Sequence, residues 1–244
     1  MKVHFDERGE GNPGPIVMIH GAGGSTATWF MQLKHLSHDF HVIAIDLNGH
    51  GKTVDRNEHD VFKSYLSDIE TVVNQYDNII LCGHSMGGAL TQLFALQDSS
   101  KLSGIILVGT GAKLRVNPMI FEWLENDFEA YIGAMGTYAF AEETDEEMRE
   151  ASKAEMRKCS PSIISRDFRA CDAFDVMDRI HQISIPTLIV VGDEDLLTPP
   201  KYSTYLGNQI VDSKLTTIPK AGHSVMLEQR EAFNSEIKDW HKAL

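Results

Sequence analysis

Only three cysteines occur in 244 residues, Cys82, Cys159 and Cys171, and no C-x-x-C pair is among them. The chain therefore has neither the disulfide framework of a small secreted domain nor a thiolate metal site. An odd, sparse set reads as reduced thiols, which points to the cytoplasm. The N-terminus agrees, since Asp6 and Glu7 fall where a secretory signal would need its apolar stretch. No run approaches the ~20 apolar residues of a membrane span, so no membrane association is expected. Positive charge is also scarce. The 22 Lys and Arg residues face 35 Asp and Glu, a net charge of −13, and no basic cluster interrupts the acidic balance. That argues against nucleic acid as a partner, and against anionic membranes and polyanionic substrates. Internal repeats and low-complexity tracts are absent. No His, Cys, Asp and Glu set has metal-ligand spacing, so no metal or cofactor is expected. A chain of this length, 42% hydrophobic and 23% charged, is a folded globular protein of one large domain, or one domain plus an insertion.

What is present is a series of short apolar runs rich in Ile and Val: Ile16–Ile19, Val42–Ile45, Ile79–Leu81, Ile105–Val108, Thr187–Val191 and Leu215–Ile218. Runs that are continuous rather than alternating suit strands buried on both faces, as in a parallel sheet covered by helices. Helix-period segments lie between several of them. Residues 65–76 carry Leu66, Ile69, Val72 and Val73 on one face, and the segment after Ser85 carries Leu90, Leu93, Phe94 and Leu96. Strand–helix alternation of this kind predicts right-handed βαβ units and an α/β fold with a doubly wound, mostly parallel sheet.

The alternation breaks between Leu114 and Ile180, where no convincing strand occurs. Asn117-Pro118 and Ser160-Pro161 read as helix starts with proline at the first helical position. Thr144-Asp-Glu-Glu147 reads as a capping box. Phe121, Leu124, Phe128, Ile132 and Met135 share one helical stripe. The expected organisation is a core formed by residues 1–113 and 181–244, with a helical cap at 114–180 lying over the C-terminal edge of the sheet. Open α/β sheets bind ligands at that edge.

Gly83-His84-Ser85-Met86-Gly87 follows a predicted strand and opens a predicted helix. G-x-S-x-G in this context is a nucleophile elbow, a strained turn that pushes the serine Oγ outward. The alternative is a glycine-rich turn with a bystander serine. A serine hydroxyl needs a base, and the base needs an orienting group. Gly192-Asp193-Glu194-Asp195 and Ala221-Gly222-His223 each fall just past a predicted strand end, at the same sheet edge as Ser85. Of the eleven histidines, His223 has both the position and the flanking glycine. His20, His50 and His84 lie near the edge but suit loop shaping, and His35, His38, His41 and His59 have polar surroundings. Asp195 is the preferred acid, with Asp193 as the alternative. For an oxyanion, the Met86 N–H opens the helix, where the dipole helps. The small-residue loop His20-Gly21-Ala22-Gly23-Gly24 offers the Ala22 N–H, or that of Gly23. It lacks the lysine of a phosphate-cradling P-loop. Gly21, Gly23 and Trp29 are candidate substrate-binding residues, and the aromatics Trp123, Tyr131, Tyr138 and Phe140 are candidate pocket walls. Phe121 and Phe128 suit packing of the cap better.

In chain order, HGAGG (20–24), DLNGHGKT (46–53), GHSMGG (83–88), GDEDLLTP (192–199) and AGHSVMLEQ (221–229) resemble the motifs of the α/β-hydrolase fold family over nearly the whole chain. The subgroup it looks like contains small carboxylesterases, enol-lactonases, carbon–carbon bond hydrolases and cofactor-free perhydrolases. The resemblance implies a Ser85–His223–Asp195 triad, an oxyanion hole at Ala22 and Met86, and a helical cap. Relatives that open epoxides or displace halide carry aspartate at the nucleophile position, so serine argues for acyl chemistry. The N-terminus leaves room for one strand, Lys2–Arg8, before Ile16, so the outermost strand of the full fold is expected to be missing. The expected activity is a serine hydrolase (carboxylesterase-like) acting on small, largely neutral carboxylic esters. A lactonase or carbon–carbon bond hydrolase, whose carboxylate-bearing substrates would need Arg115, Arg157, Arg166 or Arg169, is the alternative. A hydrolase-like ligand receptor is a third reading. Nothing in the sequence sets an oligomeric state.

Overall fold

The computed structural model describes residues 2–244. In chain order the elements are β1 (Phe5–Arg8), β2 (Ile16–Ile19), α1 (Phe30–His35), β3 (Val42–Ile45), α2 (Val61–Val73), β4 (Ile79–His84), α3 (Met86–Gln97) and β5 (Leu102–Val108). Then follow α4 (Pro118–Asn126), α5 (Phe128–Tyr138), α6 (Glu146–Met156) and α7 (Pro161–Ala173). The chain ends with β6 (Thr187–Gly192), α8 (Pro200–Gln209), β7 (Ser213–Ile218), α9 (Val225–Glu228) and α10 (Arg230–His241). Among the described residues, no helix is long and apolar enough to cross a membrane.

The strands form one seven-stranded sheet in the order β1-β3-β2-β4-β5-β6-β7. All pairs are parallel except β1 with β3, where Phe5 faces Ile45 and Arg8 faces Val42. Successive residues of a strand point to opposite faces, and both faces are covered. Val17, Ile19, Ile43, Ile45, Leu81 and Leu107 join Ile69, Val72, Ala89, Leu90 and Leu206 of α2, α3 and α8 on one side. Ile16, Met18, Val42, Ala44, Ile80 and Ile106 join Leu33, Phe233, Ile237 and Trp240 of α1 and α10 on the other. This two-sided burial is why the runs read as uninterrupted rather than alternating. The run Leu215–Ile218 departs from the expectation. In β7 the edge position leaves Leu215 exposed, with only Ile218 of this strand buried.

β2 connects toward β3 on one side and β4 toward β5 on the other, although β2 and β4 are neighbours. Their C-terminal ends therefore flank a crevice that no crossover covers, the topological switch point where open sheets bind ligands. The loop after β2 and Ser85 after β4 both lie there.

Between β5 and β6 the chain makes four helices, α4 to α7. It leaves and re-enters the sheet through a narrow neck, with Val176 N–H donating to Ala112 O at 2.8 Å and Lys113 bridging Asp175. Ile120, Leu124, Tyr131, Ile132, Met135 and Ile164 form a small core of their own. Two local expectations are corrected here. The stripe from Phe121 to Met135 is two helices, because Asp127 leaves the helical conformation and accepts from Ala130 N–H as the cap of α5. The cap of α6 is Asp145, which accepts from Glu147 N–H, whereas Thr144 donates its hydroxyl to Glu228. A carboxylate one residue later outcompetes the threonine for the helix start.

Candidate active site

The turn from β4 into α3 holds Ser85 at φ 54°, ψ −115°, a region where a non-glycine residue carries roughly 1–3 kcal/mol of strain. The surroundings hold it there. Ser85 N–H donates to Val108 O at 2.9 Å, and the Thr110 hydroxyl donates to Ser85 O at 2.9 Å. A Cβ at Gly83 would lie 2.1 Å from Gly87 O, and one at Gly87 would lie 2.4 Å from Ile19 O. Only glycine lets the strand, the helix and β2 approach this closely.

His223 follows β7 and Asp195 follows β6. The His223 Nδ1 lies 2.9 Å from Asp195 Oδ2, and both side chains are buried. Asp195 is saturated with donors. Its Oδ1 accepts from Leu197 N–H and Thr198 N–H, at 2.9 and 2.8 Å, and its Oδ2 from the Thr198 hydroxyl at 2.8 Å. Burial pushes the carboxyl up, but the adjacent imidazole and the Thr198 donors outweigh it and hold the group below the usual carboxylate range. Asp195 therefore stays ionised, and the ring N–H it accepts must be on Nδ1, which leaves Nε2 as the basic nitrogen. The exposed Asp193 only accepts from Ala221 N–H, at 3.4 Å. Ser85 and His223 line the same cavity, of about 1460 Å³. No hydrogen bond joins the two side chains in this structure, and such contacts often tighten only around a substrate.

His84, beside the serine, donates from Nε2 to His223 O at 3.0 Å, and its buried Nδ1 has no partner among the described residues. Burial, with His223 nearby, pushes this ring down to about 3. The His20 ring is likewise driven down to about 4 by burial and by His50. Neutral His20 donates from Nδ1 to Gly21 O at 2.7 Å and accepts from Leu47 N–H at 3.2 Å, pinning the loop that follows β2. In that loop Gly24 N–H turns back to Gly21 O, and Gly23 N–H donates to Asp167 Oδ2 at 2.9 Å. Among the described residues, the N–H groups of Ala22 and Met86 have no hydrogen-bond acceptor. Gly21, Ala22 and Gly23 line the cavity.

Trp29 does not. It is fully buried beneath the site, edge-on to His84 with ring centroids 6.5 Å apart, and packs in the α1/α10 core. The short helical turn that carries it aims the indole inward, and its neighbours Phe30 and Met31 reach the cavity instead. Of the aromatics in the helical segment, Trp123, Tyr131, Tyr138 and Phe168 line the cavity. Phe140 is buried away from it under Arg149, and Phe121 carries Arg169 on its face. Arg115 also lines the cavity. Arg157 pairs with Glu129 on the surface, and Arg166 pairs with Asp55.

Three neighbours of these residues were not among the expected ones. Thr198 donates to Asp195 while its oxygen lies 3.1 Å from His223 Nδ1. Glu228 accepts from Gly222 N–H and Ala141 N–H, tying the His223 loop to the helical segment. Asp167 lies fully buried on α7. Its signal was a carboxylate in the helical stripe of Ile163, Ile164 and Cys171, since a buried acid needs partners to stay there. Among the described residues, no group of three or more His, Cys, Asp and Glu side chains is placed to hold a metal ion.

A strained serine between a strand and a helix, with a His–Asp pair after the last two strands, is the arrangement of a hydrolytic α/β fold. The model of the serine aminopeptidase S33 family matches residues 12–230. The chain belongs to that family. This hydrolase is similar in structure to a thermophilic esterase, with TM-score 0.83 and 33% identity over 93% of this chain and 89% of the other. It is 26% identical to a putative carbamate hydrolase of Rhizobium rhizogenes, over 96% of each chain. It is 22% identical to a pimeloyl-[acyl-carrier protein] methyl ester esterase of Legionella pneumophila, over 99% of this chain and 100% of that one. The α/β-hydrolase fold is thus shared with relatives of differing substrate.

Proposed function

We propose that this hydrolase cleaves largely neutral carboxylic esters through a Ser85 acyl-enzyme. The observation that carries the reading is the pairing of His223 with an ionised, donor-saturated Asp195 on the wall of the cavity that also holds Ser85. His223 Nε2 takes the Ser85 proton as Oγ attacks the ester carbonyl. The imidazolium that forms is stabilised by Asp195. The N–H groups of Ala22 and Met86, which have no acceptor among the described residues, receive the oxyanion. The alcohol leaves with the proton from His223, and water activated by the same ring releases the acid.

The helical segment 114–180 acts as a cap. Trp123, Tyr131, Met135, Phe168 and Leu197 make the cavity walls largely apolar, which suits an uncharged acyl group. The 1460 Å³ volume exceeds what a short ester needs, so acyl chains beyond butyrate fit. Arg115 on the same wall favours one second reading, a lactone or vinylogous diketone that carries a carboxylate.

The test is p-nitrophenyl esters from acetate to octanoate against carboxylate-bearing lactones and diketones, with wild type and Ser85→Ala. Neutral esters are expected to be turned over fastest, with the activity lost in the variant. Wild-type turnover by Ser85→Ala would end the mechanism, and a strong preference for the charged substrates would move it to the second reading.

A further inference from the structure

We propose that Asp167, on the helical segment, is the residue that positions the oxyanion loop and selects Ala22 as its donor. The inference rests on the serine hydrolase reading and concerns how its site is assembled. Asp167 is fully buried on α7, far in sequence from the catalytic motifs, and its two oxygens take three donors from three core elements. Oδ2 accepts from Gly23 N–H at 2.9 Å and faces His50 Nε2 at 2.8 Å, while Oδ1 accepts from the Tyr65 hydroxyl at 2.5 Å.

The consequence for the loop follows from its hydrogen bonds. Its first carbonyl, Gly21 O, is held by the His20 ring and by Gly24 N–H. Its third amide, Gly23 N–H, is taken by Asp167. Among the described residues, the peptide between these two anchors has one unspent donor, Ala22 N–H, on the cavity that Ser85 also lines. Gly23 has φ +66°, and a Cβ there would meet Ile164 of α7 at 2.9 Å, so α7 presses on the loop at the residue it also hydrogen-bonds. Without the carboxylate, Gly23 N–H is released and the loop can rotate either amide toward the cavity, which blurs the alignment that oxyanion stabilisation requires. Only an acceptor can satisfy Gly23 N–H and His50 together, and a carboxylate has the lone pairs to take both on one oxygen. Seating of the helical segment and formation of the oxyanion hole are thereby one event.

The test compares Asp167→Ala and Asp167→Asn with wild type. It measures kcat and KM on a neutral ester and the affinity for a trifluoromethyl ketone, which forms a tetrahedral oxyanion on the serine. Asp167→Ala is expected to lower kcat about 30- to 100-fold with KM within about threefold, and to weaken the ketone in parallel with kcat. Asp167→Asn keeps an oxygen for Gly23 and is expected to lose less than the alanine variant, about 3- to 10-fold below wild type. If the alanine variant fails to fold, the asparagine variant carries the comparison, because its loss must still appear in kcat and in ketone affinity together. Unchanged kcat in a folded Asp167→Ala, or a fall in kcat with ketone affinity intact, would overturn the proposal. Retained turnover in Ser85→Ala would instead overturn the hydrolase reading itself, whatever Asp167 does.

Discussion

Replacing Asp195 by asparagine changes one oxygen to an amide nitrogen, and the hydrogen bonds around it dictate which. Oδ1 accepts from two backbone N–H groups, Leu197 and Thr198, that cannot turn away. The asparagine must therefore keep its carbonyl oxygen there, which puts its NH₂ in the place of Oδ2, 2.9 Å from His223 Nδ1. Facing a donor, Nδ1 becomes the acceptor and the ring proton moves to Nε2. The nitrogen that should take the Ser85 proton is then blocked, and the fold is otherwise undisturbed. The expected fall in kcat is about 10⁴-fold, the size seen when this tautomer switch is made in a serine protease, or about 5.4 kcal/mol of barrier. The assay is p-nitrophenyl butyrate hydrolysis from pH 6 to 9, with a thermal melt beside it. Asp193→Asn, at an exposed site, is the control and should stay within about twofold of wild type. A folded Asp195→Asn enzyme with more than a tenth of wild-type kcat would refute the tautomer argument. A collapse in Asp193→Asn would move the acid to the neighbouring residue.

Thr198→Val removes one donor from Asp195 and a contact of His223, and should lower kcat about tenfold while the melt moves little. Gly87→Ala sets a methyl against Ile19 O and His20 O at 2.4 and 2.7 Å. Backbone oxygens cannot rotate aside, so a loss of roughly 3 kcal/mol, about 6–12 °C in melting temperature, is expected by calorimetry; an unshifted melt would mean the elbow has slack it does not show. His20 and His84 titrate near 4 and 3 in the fold but near ~6.5 unfolded. Between those limits the unfolded chain binds protons the native one refuses, so stability must fall as pH drops from about 6.5 toward 4, by up to about 1.4 kcal/mol per pH unit for each ring. Urea melts should show this slope, and His84→Asn should lessen it by about one proton. Cys159 lines the cavity, but burial pushes its thiol up to about 12, so iodoacetamide at neutral pH should leave ester hydrolysis intact over an hour.

The sheet was legible because each central strand is apolar on both faces. Ile16–Ile19 and Val42–Ile45 form strands with the limits their runs suggest, and the glycines flanking Ser85 mark a turn that no larger residue could make. The order of Ser85, Asp195 and His223 was legible for a similar reason, since each sits where a strand ends and parallel strands end at one edge. Those features are local, or follow from the direction of the strands alone. What the sequence could not decide is where a side chain points once neighbours from distant segments compete for it. Trp29 went to the core rather than the cavity, and the stripe after Pro118 broke at Asp127 because a cap satisfied the next helix. Asp167 met Gly23, His50 and Tyr65 only because α7 folds back over the loop that follows β2, bringing together residues up to 144 positions apart. Local spacing carries the positions of turns and strands; hydrogen-bond partners across such separations exist only after the chain has packed, and the tertiary structure alone assigns them.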